Sequence, residues 1–272
     1  MQLKNFLLIS ALLLIMKTGF SQKETHPMND HKIEVIAHRG GSLLAPENTM
    51  AAFKNAVSMG AKRIELDVQQ TKDKVTIVLH DARIDRTTNG SGHVNSFTYQ
   101  ELCGFDAGVK FSDKFKNEKI PTLDEVLTFV NGQCIVLIEI KNHDNIYEGL
   151  EKDVVDLIHK HHAQKWCIVQ SFSYSSISKV HELDPEIIIG YLSLKVPRKK
   201  MEAEPANFCF ISEINIYHRF ASKKAVSFIH SQNKKTCVWT VNKAKRMRKM
   251  IKNNVDGIMS DNPTMLKELL NK

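Results

Sequence analysis

The sequence predicts an α/β fold in which a parallel sheet is covered by helices on its outside. Three observations predict it. Short apolar, β-branched runs alternate with segments of helical period almost to the end of the chain. A chain of 272 residues suits one domain of barrel size better than two small ones. The chemically conspicuous residues fall where strands end, the face on which parallel α/β folds build their sites. On pattern alone, an open sheet and a closed barrel both satisfy these observations.

Residues 1–21 read as a secretory signal peptide. Lys4 supplies the positive start, residues 6–16 form an apolar core too short to span a bilayer comfortably, and Thr18-Gly19-Phe20-Ser21 is the small and polar end. The expectation is cleavage near Ser21 and export to the periplasm or the extracellular space. The alternative is an uncleaved anchor, which Lys17 directly behind the apolar run would suit. Residues 22–32 are polar and are expected to form a flexible lead-in to a domain over 33–272.

Strand 33–37 breaks at Gly40-Gly41. A helix follows, capped by Asn48 or Thr49, with Met50, Phe53 and Val57 on one face and Gly60 at its end. Strand 63–68 is joined by Thr71-Lys72-Asp73-Lys74 to strand 75–79. That link is too short for a crossover helix, so two parallel strands here need an extended, helix-free connection. Residues 82–120 are polar, contain glycine and keep no sustained period; they read as an insertion after the third strand, above the strand ends, adding little to the stability of the sheet. Thr122 and Glu125 form a capping box that opens a helix through Phe129. Strands at 135–140, 167–169, 187–192, 208–211, 236–241 and 257–260 complete the set, with helices near 148–160, 173–181, 221–233 and 243–253. This makes nine strands, one more than an eight-stranded barrel uses. Either 208–211 or 257–260 is expected to be the short or peripheral one.

Composition limits the function classes. With 25% charged and 42% hydrophobic residues, the chain is globular rather than disordered. The net charge is +8; loss of residues 1–21 removes Lys4 and Lys17 and no acid, leaving +6. That excess favours approach to anionic phosphodiesters or membrane surfaces. It does not indicate nucleic acid: the basic run 243–249 has the spacing of a helix's outer face, with Met247, Met250 and Ile251 inward, and no aromatic residues interleave the charges. The five cysteines are odd in number and form no CxxC, so free buried thiols are expected rather than zinc or a disulfide framework.

The chemistry concentrates in five strand ends. Ile36-Ala37-His38-Arg39-Gly40-Gly41-Ser42, backed by Pro46-Glu47-Asn48-Thr49, places a proton-transfer group beside a planar guanidinium fork. Glu65 and Asp67 are two apart on a strand and share a face, as do Glu139 and Lys141. If that face is the interior, three carboxylates converge near the mouth. Hard oxygen donors without a thiolate suit Ca²⁺ or Mg²⁺ rather than zinc. His80-Asp81 ends another strand, and Trp239-Thr240-Val241-Asn242 a further one.

Together these stretches, with Asp85-Arg86-Thr87-Thr88-Asn89-Gly90, Gly104-Phe105-Asp106-Ala107-Gly108 and Gln170-Ser171-Phe172, resemble the glycerophosphodiester phosphodiesterase family from about residue 33 to the C-terminus. The resemblance implies a TIM (β/α)8 barrel whose insertion lids the substrate pocket and decides substrate choice. It implies hydrolysis of glycerophosphodiesters to an alcohol and glycerol 3-phosphate, commonly through attack by a substrate hydroxyl and a cyclic phosphate. His38 and His80 are then acid and base, in an order the residues leave open. Glu65, Asp67 and Glu139 are metal ligands, Arg39 and Lys141 phosphate contacts, Glu47 a group orienting Arg39, and Trp239 a residue that stacks on glycerol or the alcohol. The same chemistry extends to lysophospholipids and other lipid or wall phosphodiesters, with contact at a membrane surface. A non-catalytic phosphodiester-binding barrel is the competing reading. It would not need two proton-transfer histidines.

Overall fold

The computed structural model describes residues 33–271. The expected signal peptide and lead-in lie outside the described residues. The elements run β1 (Glu34–Ala37), α1 (Met50–Ser58), β2 (Arg63–Gln70), β3 (Thr76–Val78), α2 (Tyr99–Leu102), α3 (Leu123–Val130), β4 (Ile135–Ile140), α4 (Leu150–Lys160), β5 (Cys167–Ser171) and α5 (Tyr174–Leu183). They continue with β6 (Ile188–Ser193), α6 (Arg198–Ala203), β7 (Ile211–Tyr217), α7 (Lys223–Ser231), β8 (Cys237–Trp239), α8 (Ala244–Lys252), β9 (Gly257–Ser260) and α9 (Pro263–Leu270). Every strand except β3 pairs in parallel, and β1 pairs with both β2 and β9. The sheet therefore closes into an eight-stranded TIM barrel, as expected.

The strand left out of the barrel is β3, not 208–211 or 257–260. It runs antiparallel to β2, with Val68 opposite Val78 and Gln70 opposite Thr76. The physical reason lies in the link the sequence displays. Residues 71–75 are enough for a hairpin turn, which Lys74 completes at φ 68°, and far too few for a parallel crossover. β2 overshoots the barrel mouth, and the hairpin returns the chain to the level of Asp67, where Leu79 N donates to Asp67 O at 2.9 Å. The insertion thus follows a hairpin strand outside the barrel rather than a third barrel strand. Nor is it simply a polar loop. Ile84, Val94, Leu102, Ala107 and Ile120 are buried with Ile77 and Leu79 in a cluster distinct from the main core. Thr98 and Glu101 form a capping box for α2 that the aperiodic pattern hides.

Three more elements differ. β7 begins where strand 208–211 was expected to end, because residues 205–208 form a 3₁₀ turn. Its inward Glu213 and Asn215 interrupt the apolar run. Helices α6 and α9 were not expected at all.

β2 shows why these residues make barrel strands. Ile64, Leu66 and Val68 face outward into the main core against Phe53 of α1 and Leu127 of α3, while Arg63, Glu65, Asp67 and Gln69 alternate onto the inner face. All eight residues are buried. The lower interior holds its own charge pair: Arg63 Nη1 donates to both Glu213 carboxylate oxygens at 3.0 and 2.9 Å, and Nη2 lies 2.7 Å from Glu34. Losing one partner of such a buried pair costs about 3–5 kcal/mol.

The helices begin in two styles. Thr122 caps α3 through the expected box, a contribution of about 1 kcal/mol, and the first turns of α3 and α4 carry Asp124, Glu125, Glu151 and Asp153. The first turns of α6, α7 and α8 contain no acid and begin Arg198-Lys199-Lys200, Lys223-Lys224 and Ala244-Lys245-Arg246. Each cation there opposes the helix dipole by about 0.3–1 kcal/mol.

Among the described residues, no helix is long and apolar enough to cross a membrane. All five cysteines are free. Cys134, Cys167 and Cys237 are buried as expected, but Cys103 is half-buried and Cys209 exposed, the latter beside the 3₁₀ turn rather than inside a strand.

Candidate active site

The loop after β1 is wrapped around Glu65. Gly40 (φ 82°) lies so close to α1 that a Cβ would stand 2.7 Å from Ala52 Cβ. That contact and the left-handed Arg39 (φ 52°) turn the Arg39 N–H onto Glu65 Oε2 at 2.9 Å. The Arg39 guanidinium is clamped by Glu47, with Nη1 donating to Oε1 at 2.7 Å, as the sequence suggested. Its Nε lies 3.4 Å from Asp67 Oδ2 and makes no hydrogen bond. Asn48, also left-handed (φ 56°), donates to Asp67 Oδ2 at 2.8 Å. Lys141 Nζ stands 3.0 Å from Asp67 Oδ1 and donates to Glu139 Oε1 at 2.5 Å.

The three expected metal ligands do converge: Glu65, Asp67 and Glu139 each offer an oxygen within 4.8 Å of the others, and all three are buried. Such a set cannot carry three charges unaided. Burial pushes Glu65 up, reinforced by Asp67 and Glu139. Burial likewise raises Glu139, to about 7, against the opposing pull of Lys141. Burial works against Asp67 as well, but Lys141, Arg39 and His80 outweigh it and hold its carboxyl well below the usual carboxylate range. Asp67 Oδ1 accepts no well-formed hydrogen bond. Buried, crowded oxygen donors, one of them met only by the Lys141 ammonium, fit a hard divalent cation.

The two histidines reach this group from different parts of the chain. His38 Nδ1 is 2.5 Å from Asp261 Oδ1, and its Nε2 points toward Glu65 Oε2 at 4.0 Å. Asp261 is itself fixed by Asn242, which donates to Oδ2 at 2.5 Å and accepts from the Asp261 N–H at 3.0 Å. Burial raises the Asp261 carboxyl, but the His38 contact prevails and brings it down to about 2. His80 Nδ1 is 2.6 Å from Asp81 Oδ1. Arg86 of the insertion donates to Asp81 Oδ2 at 2.6 Å and to both oxygens of Glu47 at 2.6 and 2.8 Å. Burial lowers the His80 imidazole below its ordinary value, with Asp67 opposing.

Seven of the eight residues singled out in the sequence therefore form one electrostatic group. Trp239 stands apart on the rim. Its Nε1 donates to Asn215 O at 3.1 Å, and its ring lies 5.3 Å from those of Phe172 and Tyr217. Sequence reasoning gave no role to Asp261, Asn242 or Arg86, and offered Asn48 only as a helix cap, a place that Thr49 takes. The acid of Ser260-Asp261-Asn262-Pro263, placed at a strand end before a helix-starting Pro, was the available signal for the first.

Comparison with known proteins agrees with this geometry. The model of the glycerophosphoryl diester phosphodiesterase family matches residues 38–265. The glycerophosphodiester phosphodiesterase of Caldanaerobacter subterraneus subsp. tengcongensis is 40% identical over 245 residues, 89% of this chain and 99% of that protein. That of Bacillus altitudinis is 36% identical over 235 residues, 85% of this chain and 95% of the relative. Among solved structures, an Oleispira antarctica phosphodiesterase in complex with the product sn-glycerol-3-phosphate superposes with a TM-score of 0.83 at 28% identity, covering 88% of this chain and 97% of that one. With nearly its whole barrel matched in sequence and in shape, the chain belongs to the glycerophosphoryl diester phosphodiesterase family.

Proposed function

We propose that the protein hydrolyses glycerophosphodiesters to an alcohol and glycerol 3-phosphate, with His38 and His80 as the acid–base pair and a divalent cation, Ca²⁺ or Mg²⁺, held by Glu65, Asp67 and Glu139. The observation that carries this reading is that both histidines have Nδ1 engaged by a carboxylate. Each Nε2 is then the working nitrogen. One takes the proton of the attacking hydroxyl or water; the other delivers a proton to the departing alkoxide as the P–O bond breaks. Arg39 and Lys141 supply fixed positive charge for the phosphate oxygens, Arg39 as a fork pre-oriented by Glu47 and Lys141 as a point charge. A cation bound at the three carboxylates would add electrophilic stabilisation of the same oxygens.

Release of glycerol 3-phosphate from glycerophosphocholine, assayed with purified protein, tests the activity. Absence of release, with the same protein inert on other glycerophosphodiesters and lysophospholipids, rejects it and favours a binding barrel. Export is part of the same proposal. It rests on Lys4, the apolar run 6–16 and the small residues behind it. A purified protein that still begins at Met1 would reject cleavage.

A further inference from the structure

The mouth of the barrel is electrically lopsided. The chain leaving β6, β7 and β8, over residues 194–201, 217–226 and 239–249, carries four, three and five lysines or arginines and no acid. Because the strands are parallel, all three stretches begin on the same face as the candidate active site. The insertion on the other side of the mouth is balanced, with six bases and five acids over 82–120. The basic sector is also not what the helices would choose. α6, α7 and α8 place these cations in their first turns, against their own dipoles and with no acid in those turns; Glu202, one turn on in α6, reaches only Arg198, at 4.0 Å. A fold selected for stability alone would put acids there, as α3 and α4 do.

Two large apolar side chains crown this sector. Leu194 is 58% exposed and Phe220 42%. Lys195 Nζ sits 4.9 Å over the Phe220 ring, so the loops after β6 and β7 form one continuous ridge. From Phe220 a file of aromatic rings leads inward, to Tyr217 at 6.3 Å, Trp239 at 5.3 Å and Phe172 at 5.3 Å. A soluble polyanion would use the bases but has no need of exposed leucine and phenylalanine. A bilayer uses both, anionic headgroups for the cations and the acyl boundary for the apolar tips.

We propose that the β6–β8 rim is a docking face for membranes containing anionic phospholipid, seated so that the barrel mouth opens onto phosphodiesters at the bilayer surface. The bases draw the face to the headgroups, Leu194 and Phe220 enter the interface, and the aromatic file gives an apolar moiety a path toward the site. Docking is read without turnover, so its failure and the failure of the hydrolytic reading are separable.

The test is co-sedimentation of the full chain with vesicles of phosphatidylglycerol and phosphatidylcholine, against phosphatidylcholine alone and against soluble polyphosphate. Preferential capture by the anionic vesicles is expected. The combined variant Lys199→Glu, Lys200→Glu, Lys223→Glu, Lys224→Glu should reduce it roughly 100-fold or more. The helix dipoles favour these acids, so the variant should fold at least as well as the parent. The variant Leu194→Ser, Phe220→Ser should weaken vesicle binding while leaving polyphosphate binding unchanged. Both variants should turn over soluble glycerophosphocholine at the parent rate. No capture by anionic vesicles overturns the proposal, as does capture that survives the charge reversal. Binding to polyphosphate as tight as to vesicles, insensitive to Leu194 and Phe220, assigns the face to a polyelectrolyte instead.

Discussion

His38 and His80 have the same chemistry and are held in different ways. His38 ends a barrel strand, its partner Asp261 follows the neighbouring strand β9, and Asn242 after β8 locks that partner from two sides. Its side chain is 13% exposed. His80 sits on a hairpin outside the barrel, is 32% exposed and leans on its own sequence neighbour Asp81. Asp81 is in turn steadied by Arg86, a residue of the insertion. One half of the proposed acid–base pair is built into the scaffold, and the other is delivered by an appended segment with its own small core. The barrel half should therefore be the more exacting in geometry. The hairpin half is where changes in the insertion can reach the chemistry, through Arg86 to Asp81 and His80, and through Glu47 to Arg39.

The largest expected effect falls on both halves alike. Stripping divalent ions with a chelator should abolish turnover, and Ca²⁺ or Mg²⁺ should restore it. Full activity in excess chelator would remove the ion from the mechanism. Next, His38→Ala and His80→Ala should each lower turnover of glycerophosphodiesters by ~10²–10⁴ without unfolding the protein. A nitrophenyl phosphodiester separates them. Its leaving group needs no proton, so the variant lacking the acid should recover most of its rate while the variant lacking the base should not.

The positioning residues sharpen the comparison further. Asp261→Ala should cost about 100-fold in kcat and displace the pH profile, whereas Arg86→Ala should cost about 10-fold and act on KM as well, through Glu47 and Arg39. Equal losses with equal pH profiles would mean that the two histidines are held equally well.

The smallest effect is on stability. A carboxyl raised on folding contributes stability below its unfolded value and loses it as pH rises through its folded one. Without ions, the melting temperature should therefore fall as Glu139 is carried from 4.5 through about 7, with Glu65 acting in the same direction. Added Ca²⁺ or Mg²⁺ should offset the fall by taking the place of the protons. Asp261 works in the opposite sense. Lowered on folding from 3.8 to about 2, it contributes stability above its unfolded value that is lost as pH drops. Asp261→Ala should therefore blunt the acid limb of the melting-temperature profile and leave the neutral limb, a difference that calorimetry across pH with and without chelator resolves.

Much of this site was legible because strand periodicity is local. Two-residue spacing was enough to place Glu65 with Asp67 and Glu139 with Lys141, and apolar runs bounded by turns located most of the barrel strands. Strand direction is not local, and β3 was misread as a barrel strand because an apolar run looks the same either way. Only the brevity of residues 71–75 carried the hairpin. β7 was displaced for a different reason: Glu213 and Asn215 belong to a polar interior and break the apolar pattern used to find strands. Helix α6 hid behind Arg198-Lys199-Lys200, a start that helix-capping rules disfavour. Arg86 and Asp261 act by contacts that exist only once the hairpin folds back and the barrel closes.

The contact between His38 and Asp261 spans 223 residues, and this gives the protein a clock. During synthesis strands β2 and β4, which carry the three clustered carboxylates, and His80 between them, emerge long before the carboxylate that orients His38. Until β9 has docked against β1, the chain has no oriented first histidine. A polypeptide cut short before Asp261 would carry seven of the eight residues singled out at the start, and Trp239 with them if the cut falls after it, yet lack the partner that orients the first of them. With His38 in its proposed role, competence arrives with the last strand, and a nascent or unfinished chain should stay chemically quiet toward the phosphodiesters around it.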